Sequence, residues 1–214
     1  MFNNLRASTR LIGAFSLLVA LLLVIGALSV TRTVGVRDQL VDITERRMDA
    51  IATLELLRDE ANFQARAIRN VAIKDDAAFI ENELKQITES RERVTTFYAK
   101  AGELILSAEG KASIEAMRGL RQPFAATLEK FLQMIRAGQR AEAVTVLFEE
   151  VRPAQLAYFK AIDDAVNLQD KGADAASVAA QDAVNTLITV IAVSVLVALA
   201  IAIGMAVWII RSIT

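Results

Sequence analysis

Two patterns of apolar residues divide this chain. The first is a block: "LIGAFSLLVALLLVIGALSV" (11–30) and "LITVIAVSVLVALAIAIGMAVWII" (187–210) run for 20 and 24 residues without a charge. At about 1.5 Å per residue the shorter block makes a helix roughly 30 Å long, the hydrocarbon thickness of a bilayer. Both blocks therefore predict transmembrane helices. For the first, a secretory signal peptide is the competing reading, because Arg6 and Arg10 precede it and "ALS" offers small residues for cleavage. The block exceeds the usual signal core of about 7–15 residues, which favours a retained anchor. Trp208 and then Arg211 close the second block, as expected at a membrane interface.

The second pattern fills residues 31–185, where apolar residues recur at alternating spacings of three and four. That period is the stripe of helices packed as a bundle. The first stripe reads Leu40, Ile43, Arg47, Ala50, Leu54, Leu57, Ala61, Gln64, Ile68, Val71, and "KDD" (74–76) ends it. The second reads Ile80, Leu84, Ile87, Arg91, Val94, Tyr98, Ala101, Ile105, up to the break at "SAEG" (107–110). The third reads Ile114, Met117, Arg121, Phe124, Leu128, Phe131, Ile135, up to "AGQ" (137–139). The fourth reads Leu147, Val151, Ala154, Tyr158, Ala161, Ala165, Leu168 and runs on into the second apolar block, with Pro153 expected to disturb it. The outer helices would be roughly 66 and 69 Å long and the inner pair roughly 48 and 42 Å. Inner helices shorter than outer ones suit an up-down antiparallel four-helix bundle whose outer helices continue from the membrane. The predicted fold class is all-α, with the bundle between two transmembrane helices.

Charge adds orientation. All 25 acidic residues and 21 of the 24 basic ones lie between the blocks, so that region carries −4 while the ends hold only Arg6, Arg10 and Arg211. Basic flanks without acidic neighbours place residues 1–10 and 211–214 in the cytoplasm and residues 31–185 outside, in the periplasm of a Gram-negative cell. The chain has no Cys and no His, which removes disulfides, thiolate chemistry, N/S zinc sites and imidazole bases. No phosphate-binding loop, dinucleotide fingerprint or nucleophile elbow occurs. A mildly acidic, extracytoplasmic domain does not suit nucleic acid. An enzyme, a cofactor and a bound metal are not expected.

Polar residues inside the apolar register mark the candidate site. Arg91, Arg121 and Tyr158 occupy stripe positions about 15, 17 and 19 residues from one end of the bundle, hence within roughly 6 Å of one height. A buried guanidinium needs an anion, and its planar fork suits a carboxylate. Thr95 and Thr96 lie at a similar height, and Gln122 adjoins Arg121. The bland alternative is that Arg91 pairs with Glu89, Glu92 or an acid on another helix while Arg121 extends its stem to solvent. On the first helix, Arg58, Asn62, Arg66 and Arg69 share a flank about 125° from the apolar stripe, which by default is a solvated face.

The layout resembles the N-terminal half of a bacterial methyl-accepting chemotaxis receptor. "NLRASTRLIGAF" (4–15) is similar to the start of receptors with a four-helix-bundle sensor, and "IIRSIT" (209–214) to the opening of a HAMP linker. The resemblance implies a two-span inner-membrane homodimer joined through the first bundle helix. It implies a small ligand outside, here an organic acid, with a helix displacement carried to a cytoplasmic kinase and its adaptor through a part beyond Thr214. In the aspartate-receptor-like members, Arg residues of first helices hold ligand carboxylates at the dimer interface, and Arg66 and Arg69 match best in position. The ligand residues expected are thus Arg66, Arg69, Arg91, Thr95, Arg121, Gln122 and Tyr158. Similar modules serve sensor histidine kinases and diguanylate cyclases, and a module sensing a periplasmic protein is the remaining alternative.

Overall fold

The structure is a computed structural model describing residues 7–213. Arg6 and Thr214, used above for the cytoplasmic flanks, lie outside the described residues. Among the described residues there is no strand: the elements are α1 (Ala7–Val41), a π-helical turn (Asp42–Arg47), α2 (Met48–Ile73), α3 (Ala77–Leu104), α4 (Ala108–Arg136), α5 (Arg140–Val146), a second π-helical turn (Leu147–Val151) and α6 (Arg152–Ile213). The chain is all-α, and its antiparallel four-helix bundle is made of α2, α3, α4 and the run from α5 into α6.

Two compact units separate. One comprises residues 1–41 and 176–214, and its helices are long and apolar enough to cross a membrane. Their apolar side chains, such as Leu22, Leu23, Leu196 and Leu199, are exposed.

The other unit, Asp42–Ala175, is the bundle. Leu54, Leu57, Ile68 and Val71 of α2 meet Ile87 and Val94 of α3, Met117, Phe124, Leu128 and Phe131 of α4, and Tyr158 and Ile162 of α6 in one core. The expected stripes are those observed, except at the start. Leu40 is exposed, and full burial begins at Ala50.

Each turn has its own chemistry. Asp76 caps α3 by accepting from the Ala78 and Phe79 amides at 3.0 and 3.1 Å. Arg140 closes the other side of this turn, donating to the carbonyls of Val71, Ala72 and Lys74 at 3.2, 3.1 and 2.7 Å, where the end of α2 leaves acceptors open. Ser107 caps α4 through the Gly110 amide at 3.1 Å. A Cβ on Gly110 would stand 2.3 Å from Ile105 Cγ2, so only glycine permits this close turn. After α4 the Gln139 amide reaches the Met134 carbonyl at 2.9 Å and the Gly138 amide reaches that of Ile135 at 3.1 Å. This is a Schellman ending, with Gly138 at φ 75° in the left-handed region it requires.

Three local features depart from the simple pattern. The first long helix is not uniform: Asp42 accepts from both Arg46 at 2.5 Å and Arg47 at 2.9 Å. The wider i→i+5 bonding of a π turn brings the fifth residue round towards the first, so one carboxylate serves both guanidiniums. Pro153 does disturb the fourth helix, through the π turn of Leu147–Val151 just before it rather than a break. The ring has no N–H and collides with the carbonyl four residues back in an α-helix, and a widened turn relieves both. Pro123 sits inside α4, where Gly119, the residue whose carbonyl loses its donor, is exposed to water.

Two substitutions test this framework by urea unfolding. Asp76→Ala should lower stability by about 1 kcal/mol, the loss of one N-cap. Phe131→Ala, at a fully buried position, should lower it by about 3–5 kcal/mol.

Candidate ligand site in the bundle core

The apolar register sends two guanidiniums and one phenol towards the same part of the core. Arg91 on α3, Arg121 and Phe124 on α4, and Tyr158 on α6 line a cavity of about 290 Å³, closed further by Ala61 and Gln64 of α2. Arg121 also borders a neighbouring open groove, where Thr95, Tyr98, Arg118 and Gln122 face it.

Arg91 donates through Nη1 to Glu129 Oε2 at 3.1 Å. Its Nη2 is buried and has no hydrogen-bond partner among the described residues. Glu129 also faces Arg136 at 3.6 Å, so its charge is shared between two guanidiniums. Arg121 is half-buried and weakly held. Its Nη2 lies 3.5 Å from the Arg91 carbonyl and 3.4 Å from Thr95 Oγ1, at the outer edge of hydrogen-bond distance. Its guanidinium also sits 5.4 Å over the Tyr98 ring, and that of Arg118 sits 5.6 Å from the same centroid. These are cation–π distances.

Two phenols form the polar floor. Tyr98 donates to the Tyr158 hydroxyl oxygen at 3.2 Å, and both side chains are buried. Tyr158 stacks on Phe124 with ring centroids 5.8 Å apart and 25° between planes. Burial pushes both phenol pKa values above the ordinary value, that of Tyr98 furthest, because the ionised forms would lose their hydration. The nearby Arg121 charge opposes this rise without cancelling it. At neutral pH both hydroxyls stay neutral and can donate.

The residues singled out in the sequence fall into three places. Arg91, Arg121 and Tyr158 share the cavity, while Thr95 and Gln122 are exposed in the adjoining groove. Arg66 and Arg69 are exposed on α2, line neither space, and have no ion-pair partner among the described residues. Of their stripe, Arg58 is engaged by Glu55 and by Asp163 at 3.8 Å. Thr96 bonds only its own helix, donating to the Glu92 carbonyl at 3.3 Å.

Sequence reasoning passed over Glu129, Tyr98 and Arg118. Tyr98 stood in the stripe as an apolar body, and the signal available was that it shares a level with Tyr158. Glu129 gave none, since its meeting with Arg91 depends on how far that side chain reaches along the bundle. Buried Gln64 was legible as a polar break in the first stripe, and it donates to Ser90 Oγ at 2.9 Å.

The cavity presents two guanidiniums, the Glu129 carboxylate, one hydroxyl and an aromatic wall, groups suited to recognising a small polar ligand. Among the described residues no cluster of carboxylates is arranged to hold a metal ion. A family model described as "Four helix bundle sensory module for signal transduction" matches residues 4–184. No curated protein matches the chain.

The tyrosine pair makes an alkaline prediction, and the assay is clean because the chain has only these two tyrosines. A phenol whose folded pKa is raised stabilises the fold fully below about pH 10, the unfolded value, and loses that contribution as pH rises above it. Phenolate absorbance should therefore appear together with loss of the bundle's helical circular dichroism, not before it. Ionisation of either tyrosine near pH 10 in a still-folded bundle would contradict this environment.

Proposed function

The chain belongs to the four-helix-bundle sensory modules of methyl-accepting chemotaxis proteins, and we propose that it is the input module of a two-span membrane receptor whose bundle binds a small organic acid outside the cytoplasm. The observation that carries the ligand is the Arg91 Nη2, a charged donor buried without a partner beside a cavity that Arg121 also lines. Leaving such a group unpaired is costly, and a carboxylate would satisfy it. Arg121, with only long contacts of its own, would turn to the same anion. Tyr158, held neutral, would add a hydroxyl.

This placement links ligand to output. The anion would bridge α3, α4 and α6, and α6 is one helix from Arg152 to Ile213. Binding that favours one position of α6 over another shifts that equilibrium by the difference in affinity between the two states. The displacement would pass along α6 to control a cytoplasmic chemotaxis kinase. We assign residues 11–30 and 187–210 as the spans, 31–185 as the periplasmic sensor, and 1–10 and 211–214 as cytoplasmic, on the charge bias of Arg6, Arg10 and Arg211.

A second position for the ligand rests on Arg66 and Arg69. Their exposed guanidiniums on α2, without an ion-pair partner among the described residues, would meet a ligand carboxylate if two copies paired through that helix about a twofold axis.

Thermal shift of the full chain in lipid nanodiscs, against a panel of organic acids, tests both. An acid at 100 times its dissociation constant should stabilise the protein by about 2.7 kcal/mol. Arg121→Ala should abolish that shift while the paired Arg66→Ala and Arg69→Ala substitutions leave it intact. The reverse pattern would place the ligand at the α2 flank, and a shift unchanged by either would refute both positions.

A further inference from the structure

The cavity has a charge and a shape that together select among organic acids. Its two guanidiniums face one carboxylate: Arg91 already shares its Nη1 with Glu129 at 3.1 Å. The wall therefore carries a net single positive charge. One carboxylate neutralises it. A second would find no further cation among the residues that line the cavity, since Arg118 and Arg136 lie outside that lining, and an unpaired charge there is strongly disfavoured.

The remaining lining gives the body of the ligand. Val94, Ala125 and Leu128 are aliphatic, and Phe124 and Tyr158 present two nearly parallel rings 5.8 Å apart at their centroids. Gln64, the one uncharged amide in the lining, already donates to Ser90. Beyond the two guanidiniums, the neutral polar groups of the lining are the Tyr158 hydroxyl and what the Gln64 amide retains after its bond to Ser90. A volume of about 290 Å³ lies at the small end of ligand pockets, enough for one ring and its substituents.

We infer that the core cavity takes a monocarboxylate with a flat apolar body, an aromatic acid in its simplest form, in preference to dicarboxylates or tricarboxylates. The carboxylate sits between Arg91 Nη2 and Arg121, and the ring packs on Phe124 and Tyr158. This inference rests on the core site proposed above and narrows its ligand.

Isothermal titration calorimetry of the full chain in nanodiscs tests it with three probes: benzoate, its neutral isostere benzamide, and the dianion succinate. Benzoate should bind at least tenfold more tightly than either of the others. Two substitutions locate the heat. Ala125→Leu fills the cavity without touching a charge, and Arg121→Gln removes the charge without filling the cavity. Each should weaken benzoate at least tenfold, with the helical circular dichroism retained. Tighter succinate binding that both substitutions weaken would overturn the monocarboxylate and leave the core anion site standing. Equal binding of benzamide and benzoate would overturn the role of the carboxylate. Benzoate binding indifferent to both substitutions would overturn the core site itself, and absence of heat with all three probes would overturn both.

Discussion

Everything in the bundle depends on four apolar stripes meeting at the same level, and the turns set that level. The apolar stripes of α2, α3, α4 and α6 can close one core only if α3 and α4 each reverse after a fixed number of residues. Asp76 with Arg140 settles the α2–α3 reversal, Ser107 with Gly110 the α3–α4 reversal, and Gly138 the α4–α5 reversal. Each device satisfies backbone groups that a helix end would otherwise leave open. A slip of one residue in any of them would rotate a whole stripe by about 100° and expose it. The apolar burial and the turn chemistry thus support one another, as expected of a locally consistent sequence.

Within that frame the polar residues of the stripe have no free choice of surroundings. Arg91 and Arg121 take core register positions and must find partners from inside the bundle. Glu129 supplies part of what Arg91 needs, and the buried Nη2 is the remainder. Arg121 spreads over the Tyr98 ring and makes only long contacts with Thr95 and the Arg91 carbonyl. A bundle with no other purpose would be more stable with aliphatic residues at these positions. Two cations beside an apolar cavity are what the anion site proposed above would need.

The two π turns serve a different end. Both sit where a bundle helix meets a constraint that the ordinary α-helix cannot accommodate. At Asp42–Arg47 one carboxylate serves two guanidiniums, which hold its pKa below the usual carboxylate value, chiefly through the hydrogen bond from Arg46. The same guanidiniums go on to the carbonyls of Leu104 at 3.0 Å and Gly172 at 3.3 Å, tying the start of the bundle to α3 and α6. At Leu147–Val151 the wide turn accommodates Pro153 and lets Tyr158, a turn and a half further on, return to the core register.

The all-α class, the two apolar blocks, the bundle stripes and the turns at "KDD", "SAEG" and "AGQ" were legible in the sequence, because hydrophobic period and helix capping are local properties of consecutive residues. So was the shared level of Arg91, Arg121 and Tyr158, since residue counts from a common turn measure height in an antiparallel bundle. The tertiary structure decided what those residues meet. The Glu129 partner of Arg91, the hydrogen bond between Tyr98 and Tyr158, and the separation of Arg66 and Arg69 from the cavity all depend on side-chain reach and on rotation of one helix against another. Spacing within one helix carries no record of either, because contacts across a bundle join residues far apart in sequence, as Gln64 with Ser90, 26 positions on, and Tyr98 with Tyr158, 60 positions on, illustrate.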